Sequence, residues 1–104
     1  MLPISVAILR RRCVCSNDAV FRYSPKAHNV VPVSAAGYSS CAAPRGARAL
    51  TSGNDRVTLK RGANYFICSF PGHCQAGMKV AVTAASALLI FPFRKKERII
   101  KHYN

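Results

Sequence analysis

The segment YFICSFPGHCQAGMKV, residues 65–80, concentrates side chains that bind soft metals. Cys68, His73 and Met78 follow one another with four residues in each interval, behind a run of aromatic and β-branched residues that is typical of a strand. A loop between two strands can curl three such side chains around one point. Thiolate and thioether sulfur stabilise Cu(I), whereas imidazole accepts either oxidation state of copper. The spacing therefore favours a copper site.

A blue copper electron-transfer site requires a second histidine. Two histidines and one cysteine form its trigonal plane, and a methionine binds weakly along the axis. The candidates are His28 and His102. His28 begins a β-like run inside the patterned part of the chain, whereas His102 lies in a basic C-terminal segment, and the residue pattern alone leaves both open.

Other uses of these side chains are open at this point. Zinc also binds cysteine and histidine, but its sites normally show closely paired cysteines and do not recruit methionine. A cysteine nucleophile needs an orienting Asn or Asp, for which Asn29 or Asn64 could serve, yet no local signature of a cysteine protease surrounds Cys68. A disulfide scaffold or an ordinary core would use the same residue types without a metal.

Short strands separated by turn residues predict an all-β fold. A chain of 104 residues is at most one domain. The strand-like runs are AVFRY, HNVVPV, DRVTL, NYFIC and MKVAVTA. Alternation in the last run points Met78 toward the core. We expect SAAG to close the second run as a turn, and CAAPRGARAL to hold a short helical turn or an irregular loop. The pattern favours a β-sandwich or a small barrel.

Charge and cysteine content limit the function classes. The net charge is +13, but the basic side chains of residues 20–84 are scattered singly, as on a solvated face, and no nucleic-acid-binding motif accompanies them. We therefore predict no nucleic-acid partner. Five cysteines are an odd number, so disulfide pairing leaves a thiol for a metal or an intermolecular bond.

No segment reads clearly as a targeting or membrane-spanning element. MLPISVAIL is apolar, but RRR follows it instead of preceding it, so it is not a clean signal peptide. SALLIFPF is too short to cross a bilayer and is broken by Pro92. We predict no transmembrane segment.

The segments KAHNVVPV, GYSSC and TSGNDRVTLKRGANYFICSFPGHCQAGMKVAV together resemble the phytocyanins of the cupredoxin superfamily, within them the plantacyanin or basic blue branch. The resemblance covers about residues 20–84. It implies a cupredoxin-like Greek-key β-sandwich with one type 1 copper ion. The family's metal ligands correspond to His28, Cys68, His73 and Met78.

The resemblance also implies roles for residues near the ligands. The family's disulfide corresponds to Cys41 and Cys74. Asn29 resembles the family residue that ties the ligand strand to the cysteine loop by hydrogen bonds near the sulfur. His73 is the expected solvent-facing edge of the site and hence the electron port. Stellacyanin relatives carry glutamine at the axial position, so Met78 favours the plantacyanin type.

Both ends of the chain depart from the family pattern. We expect an atypical segment at residues 1–19, the phytocyanin-like domain at residues 20–84, and a poorly ordered basic tail at residues 85–104, in which ERIIKHYN is a frayed helix or has no order. The two family strands before VFRY are not recognisable, so the sandwich is expected to be incomplete. ISVAIL has the β-propensity to add one strand and to replace them in part. Cys13 and Cys15 have no family counterpart.

Taken together, these features predict a blue copper protein that transfers single electrons and is not an enzyme. The alternative is a copper-free, disulfide-stapled extracellular binding module of the early-nodulin-like type, whose basic surface would engage acidic cell-wall polysaccharide or a protein. The expected electron partner is a redox protein or a small redox molecule. By resemblance we expect a monomer in the extracellular space or apoplast.

Overall fold

The structure is a computed structural model that describes residues 4–10, 17–84 and 99–103. The described residues form strands and one short helix in the order β1 (Ile4–Arg10), β2 (Asn17–Arg22), β3 (Val31–Val33), α1 (Ala35–Ser40), β4 (Asn54–Thr58), β5 (Gly62–Ile67), β6 (Lys79–Ala84) and β7 (Ile99–Tyr103). The predicted all-β class is confirmed. No helix in these ranges is long and apolar enough to cross a membrane.

Two antiparallel sheets enclose the main core. The larger sheet has the strand order β4-β2-β1-β7, and the smaller sheet has the order β3-β5-β6. Inward-facing residues of both sheets pack together, and the rings of Phe21 and Phe66 meet edge to face with centroids 4.9 Å apart. Cys68 and Met78 belong to the same core cluster. Because these two sulfur side chains are part of the core, the packing between the sheets fixes their positions in the candidate site.

Strand β1 agrees with the expectation that ISVAIL adds one strand ahead of β2. It pairs antiparallel with β2, with Ser5 opposite Arg22, and its other edge pairs with β7. Ile4 and Val6 are 6% and 2% exposed and face the core, and Ile8 packs against the same cluster. The alternation in ISVAIL supplies the one apolar face that an antiparallel strand needs, so residues 4–10 provide one strand in place of the two family strands that are not recognisable.

Strand β7 replaces the frayed helix or unordered end that was expected for ERIIKHYN. The backbone of Ile99–Tyr103 pairs antiparallel with β1. This pairing joins two segments at opposite ends of the chain, so no local pattern could indicate it. The predictions for SALLIFPF, Cys13 and Cys15 concern residues outside the described ranges.

The remaining strands lie close to their predicted positions. The HNVVPV run becomes regular only from Val31, because Val30 instead forms an isolated antiparallel bridge with Leu50. Met78, predicted to point inward, is 1% exposed. Ile67, the last residue of β5, pairs with Val31, the first residue of β3, and with Lys79, the first residue of β6. The strand ends next to the candidate ligands therefore lie side by side.

Helix α1 lies where a closing turn was expected. The Ser34 hydroxyl accepts a hydrogen bond from the Gly37 backbone N–H at 3.2 Å and caps the first turn. A Cβ at Gly37 would lie 2.6 Å from the Ala42 carbonyl oxygen and 3.0 Å from the Val33 Cβ. Glycine at this buried position therefore permits the helix to approach β3 closely, and this tertiary contact outweighs the weak helix propensity of the segment.

We predict that Val6→Ala lowers the free energy of unfolding by about 1–3 kcal/mol, because it removes two buried methyl groups from the core face of β1. Ala7→Ser, on the opposite face of the same strand, is the control and should change stability by less than about 0.5 kcal/mol. Urea unfolding measures both variants. A Val6→Ala variant as stable as the parent would show that β1 does not cover the core.

Candidate metal centre

The segment before β3 and the residue after β5 bring the first two candidate ligands, His28 and Cys68, together. His28 precedes β3 and is 0% exposed, and its backbone N–H donates to the Ser24 carbonyl oxygen at 3.0 Å. Cys68 follows β5 and is 1% exposed. Because Val31 and Ile67 are register partners in the β3–β5 pair, the residues flanking these strands lie side by side.

A compact loop brings the third ligand back over the first two. The His73 N–H donates to the Phe70 carbonyl oxygen at 3.0 Å, and the Met78 N–H donates to the His73 carbonyl oxygen at 3.0 Å. Gly77, at φ 104°, adopts a conformation that other residues rarely accept. The Cys68 N–H donates to the Met78 carbonyl oxygen at 3.1 Å, so the two ends of the loop are tied to each other.

The three donor atoms form a tight triangle. The Sγ atom of Cys68 lies 3.8 Å from Nδ1 of His28 and 3.5 Å from Nδ1 of His73. All three donor atoms lie within 4.8 Å of one another. An ion about 2.3 Å from the sulfur and about 2.0–2.1 Å from each nitrogen, with bond angles near 110–120°, would separate sulfur and nitrogen by about 3.5–3.8 Å. The residues therefore fit one metal ion, and a single type 1 copper site matches this donor set.

Met78 belongs to the same core cluster as Cys68. Its side chain is 1% exposed, and it lines a small apolar cavity of about 20 Å³ together with Cys68 and Phe66.

His102 and Asn64 were the other residues considered for the site. The side chain of His102 lies outside the described part of the chain. Asn64, considered as an orienting residue, instead bonds the Lys60 backbone at 2.9 Å and closes the turn between β4 and β5.

Asn29 connects the histidine strand to the cysteine loop. Its side-chain oxygen accepts from the Ser69 backbone N–H at 2.8 Å, and its amide nitrogen donates to the Ser69 hydroxyl at 2.9 Å. Because Asn29 follows His28 and Ser69 follows Cys68, this pair of bonds restrains the two candidate ligands relative to each other.

The disulfide between Cys41 and Cys74 is confirmed. Their sulfur atoms are bonded and their Cα atoms lie 5.7 Å apart, whereas Cys68 keeps a buried thiol. Cys74 packs with Val31 and Ile67 in a small second core on the outer side of the smaller sheet. Since Cys74 is the neighbour of His73, the disulfide fastens the ligand loop to the end of α1.

A phenol–carboxylate contact that the residue pattern did not indicate braces the turn before His28. The Tyr23 hydroxyl donates to the Asp55 carboxylate and its oxygen lies 2.9 Å from the Leu50 carbonyl oxygen, and the Tyr23 N–H donates to the Gly53 carbonyl oxygen at 3.0 Å. Burial, followed by the hydrogen bond to Asp55, raises the pKa of Tyr23 to about 12. These partners are distant in sequence, so only the folded chain reveals them.

Comparisons with known proteins identify a family and several relatives of this chain. The plastocyanin-like domain family matches residues 16–78. The chain is similar to chemocyanin from Lilium longiflorum, with 65% identity over 66 residues, which are 64% of this chain and 52% of the relative. It is similar to basic blue protein from Arabidopsis thaliana, with 55% identity over 65 residues, 62% of this chain and 50% of the relative. The chain thus spans about half the length of these curated relatives.

The fold also matches a solved structure. Spinach plantacyanin aligns with a TM-score of 0.65 and 55% identity, over 71% of this chain and 81% of that chain. The family match over residues 16–78 includes His28, Cys68 and His73. The predicted cupredoxin-like sandwich is therefore confirmed.

The raised pKa of Tyr23 predicts a loss of stability in alkaline solution. The folded state favours the neutral phenol, so this contribution is complete below the usual pKa of about 10 and is lost as the pH rises toward about 12. We expect Tyr23→Phe to remove a step near pH 12 from the phenolate absorbance titration. We also expect the variant's unfolding free energy to fall less steeply than the parent's between about pH 10 and 12. Superimposable titrations of parent and variant would contradict this assignment.

Proposed function

The chain belongs to the plastocyanin-like domain family, among the phytocyanins, and we propose that it is a blue copper protein that transfers single electrons. One observation carries the proposal: the Cys68 sulfur faces the Nδ1 atoms of His28 and His73 at 3.8 and 3.5 Å. A soft sulfur with two imidazole nitrogens is the equatorial donor set of type 1 copper. The burial of Cys68 and His28 keeps this donor set apart from water.

We propose that His28, Cys68 and His73 would hold the copper, with Met78 as a weak fourth ligand. The support for Met78 is its burial in the same core cluster as Cys68 and the hydrogen bond from the Cys68 N–H to its carbonyl oxygen, which keeps the two backbones side by side. An axial thioether tunes the reduction potential more than it holds the metal.

Copper supplies the one-electron chemistry by changing between Cu(I) and Cu(II). The protein's contribution is to hold the donors so that they move little between the two states. The Nδ1 atoms of His28 and His73 face the sulfur and would be the nitrogens that bind the metal, which leaves Nε2 of each ring to carry the proton. Cys68 binds as the thiolate, the form of cysteine that acts as a metal ligand. Asn29 restrains the relative positions of His28 and Cys68.

His73 is the proposed port through which electrons leave. It is only partly buried, and exposed Pro71 and Gly72 precede it on the loop. The Phe70 ring lies 5.6 Å from the His73 ring at an interplanar angle of 32°, which adds apolar surface at the same place. A redox protein or a small redox molecule would approach the copper most closely here.

We propose an electron carrier and not an enzyme. Both aspartates of the described ranges are engaged elsewhere, Asp18 with Arg56 at 3.7 Å and Asp55 with Tyr23 and Ser52. Neither is therefore offered to the donor triangle as a general acid or base. This arrangement suits a site that exchanges electrons without proton transfer to a substrate.

The proposed setting is the extracellular space or apoplast, where the protein acts as a monomer. The disulfide between Cys41 and Cys74 supports an oxidising compartment. The net charge of +13 favours acidic partners, either an acidic redox protein or acidic polysaccharide, and accelerates encounters with them. The copper-free binding module has less support, because the three donor atoms converge as a metal site requires.

Copper loading tests the proposal. Addition of Cu(II) to the purified protein should produce an intense thiolate-to-copper absorption band at one copper per chain. Cys68→Ser should abolish the band because it removes the thiolate, whereas Met78→Gln should keep the band and lower the reduction potential. A colourless parent protein, or a Cys68→Ser variant as strongly coloured as the parent, would refute the assignment.

A further inference from the structure

Lys79 makes a contact that the copper donor set does not require. Its Nζ atom donates a hydrogen bond to the Tyr38 carbonyl oxygen at 3.0 Å and lies 4.5 Å from the centroid of the Tyr38 ring. Lys79 directly follows Met78 and is only partly exposed. Its alkyl stem can therefore pack on the protein while its ammonium group reaches the last turn of α1.

Tyr38 is well placed to receive this cation. It lies in α1 (Ala35–Ser40), whose last turn contains no basic residue of its own. Carbonyl groups at the C-terminal end of a helix lack partners within the helix and attract positive charge. The Tyr38 ring also packs against the Tyr65 ring of β5, with centroids 5.3 Å apart. Tyr38 is thus fixed to the sheet by one aromatic contact and to Lys79 by a hydrogen bond and a cation–π contact.

The same helix holds the other end of the ligand loop. Cys41 is the C-terminal cap residue of α1 and forms the disulfide with Cys74 next to His73. The loop is therefore attached to α1 beside His73 through a covalent bond and beside Met78 through Lys79. Inside the loop, the hydrogen bond from the Met78 N–H to the His73 carbonyl oxygen joins the same two positions at 3.0 Å.

We propose that Lys79 is a positioning residue that, with the disulfide, uses α1 as a brace to fix the separation of His73 and Met78. The inference rests on the proposed copper function, because these two residues are proposed ligands. Without the Lys79 contact, α1 would hold the loop only at its His73 end through the disulfide. The Met78 end would then be held only by its backbone bonds to the end of β5 and within the loop, and the loop would open more often. The brace is predicted to act in the metal-free protein as well as in the loaded one.

Amide hydrogen exchange of the metal-free protein tests the brace directly. The N–H groups of Ala76, Gly77 and Met78 are hydrogen-bonded within the loop and report its opening. Lys79→Met keeps an apolar stem but loses the donor and the charge, and it should accelerate exchange at these amides by at least about tenfold. The amides of Ala27 and His28, which donate to the Ser24 carbonyl oxygen, should exchange as in the parent.

Two further variants separate position from charge. Lys60→Met makes the same charge change at an exposed lysine in the turn between β4 and β5, and it should leave loop exchange unchanged. Lys79→Arg retains a cationic donor and should restore most of the protection. In the copper-loaded protein, Lys79→Met should weaken copper affinity by about tenfold, as loss of a supporting contact does at other metal sites, whereas Lys60→Met should not.

The measurements separate a failure of the Lys79 positioning role from a failure of the proposed copper function. Loop exchange in Lys79→Met equal to that of the parent, or equal acceleration in Lys60→Met, would overturn the positioning role. If Lys79→Met does not fold, Lys79→Gln, which keeps a donor without the charge, decides the question by the same exchange measurement. A parent protein that takes up no copper would refute the proposed function, while the exchange measurement would still decide whether Lys79 braces the loop.

Discussion

The packing of the buried Cys68 thiol against one buried imidazole, His28, and one partly buried imidazole, His73, is the constraint on which the rest of this structure depends. Such polar groups are costly to bury unless they have partners, and a metal ion can satisfy all three at once. Their donor atoms come from a residue before β3, a residue after β5 and a loop between β5 and β6. Each of these backbone segments must therefore be fixed by the sheets before the site can exist.

Two sets of contacts restrain the triangle from opposite sides. On the side of His28, Asn29 bonds Ser69, and the Tyr23–Asp55 contact braces the preceding turn. On the side of His73, the disulfide and Lys79 attach the loop to α1. Neither set belongs to the donor triangle itself. A metal site needs such support because a displacement of about 0.5 Å already degrades its geometry.

The sequence predicts the parts of this arrangement that depend on local pattern or on resemblance. Spacing pointed to Cys68, His73 and Met78, alternation placed Met78 inward, and resemblance supplied His28 and the partner of Cys74. Features formed by residues distant in the chain were missed. The pairing of β7 with β1, the Tyr23–Asp55 contact and the close approach of Gly37 in α1 to β3 have no local signature, since each depends on which segments the fold brings together.

The central claim is that the protein, and not the metal, holds the donor atoms in place. Crystal structures of the metal-free and copper-loaded protein at high resolution test it most directly. The account predicts that the Cys68 Sγ and the two histidine Nδ1 atoms shift by less than about 0.5 Å between the two structures, with Asn29 and Lys79 keeping their hydrogen bonds in both. A metal-free structure in which His73 swings away from Cys68, or a loaded structure with copper bound elsewhere, would contradict it.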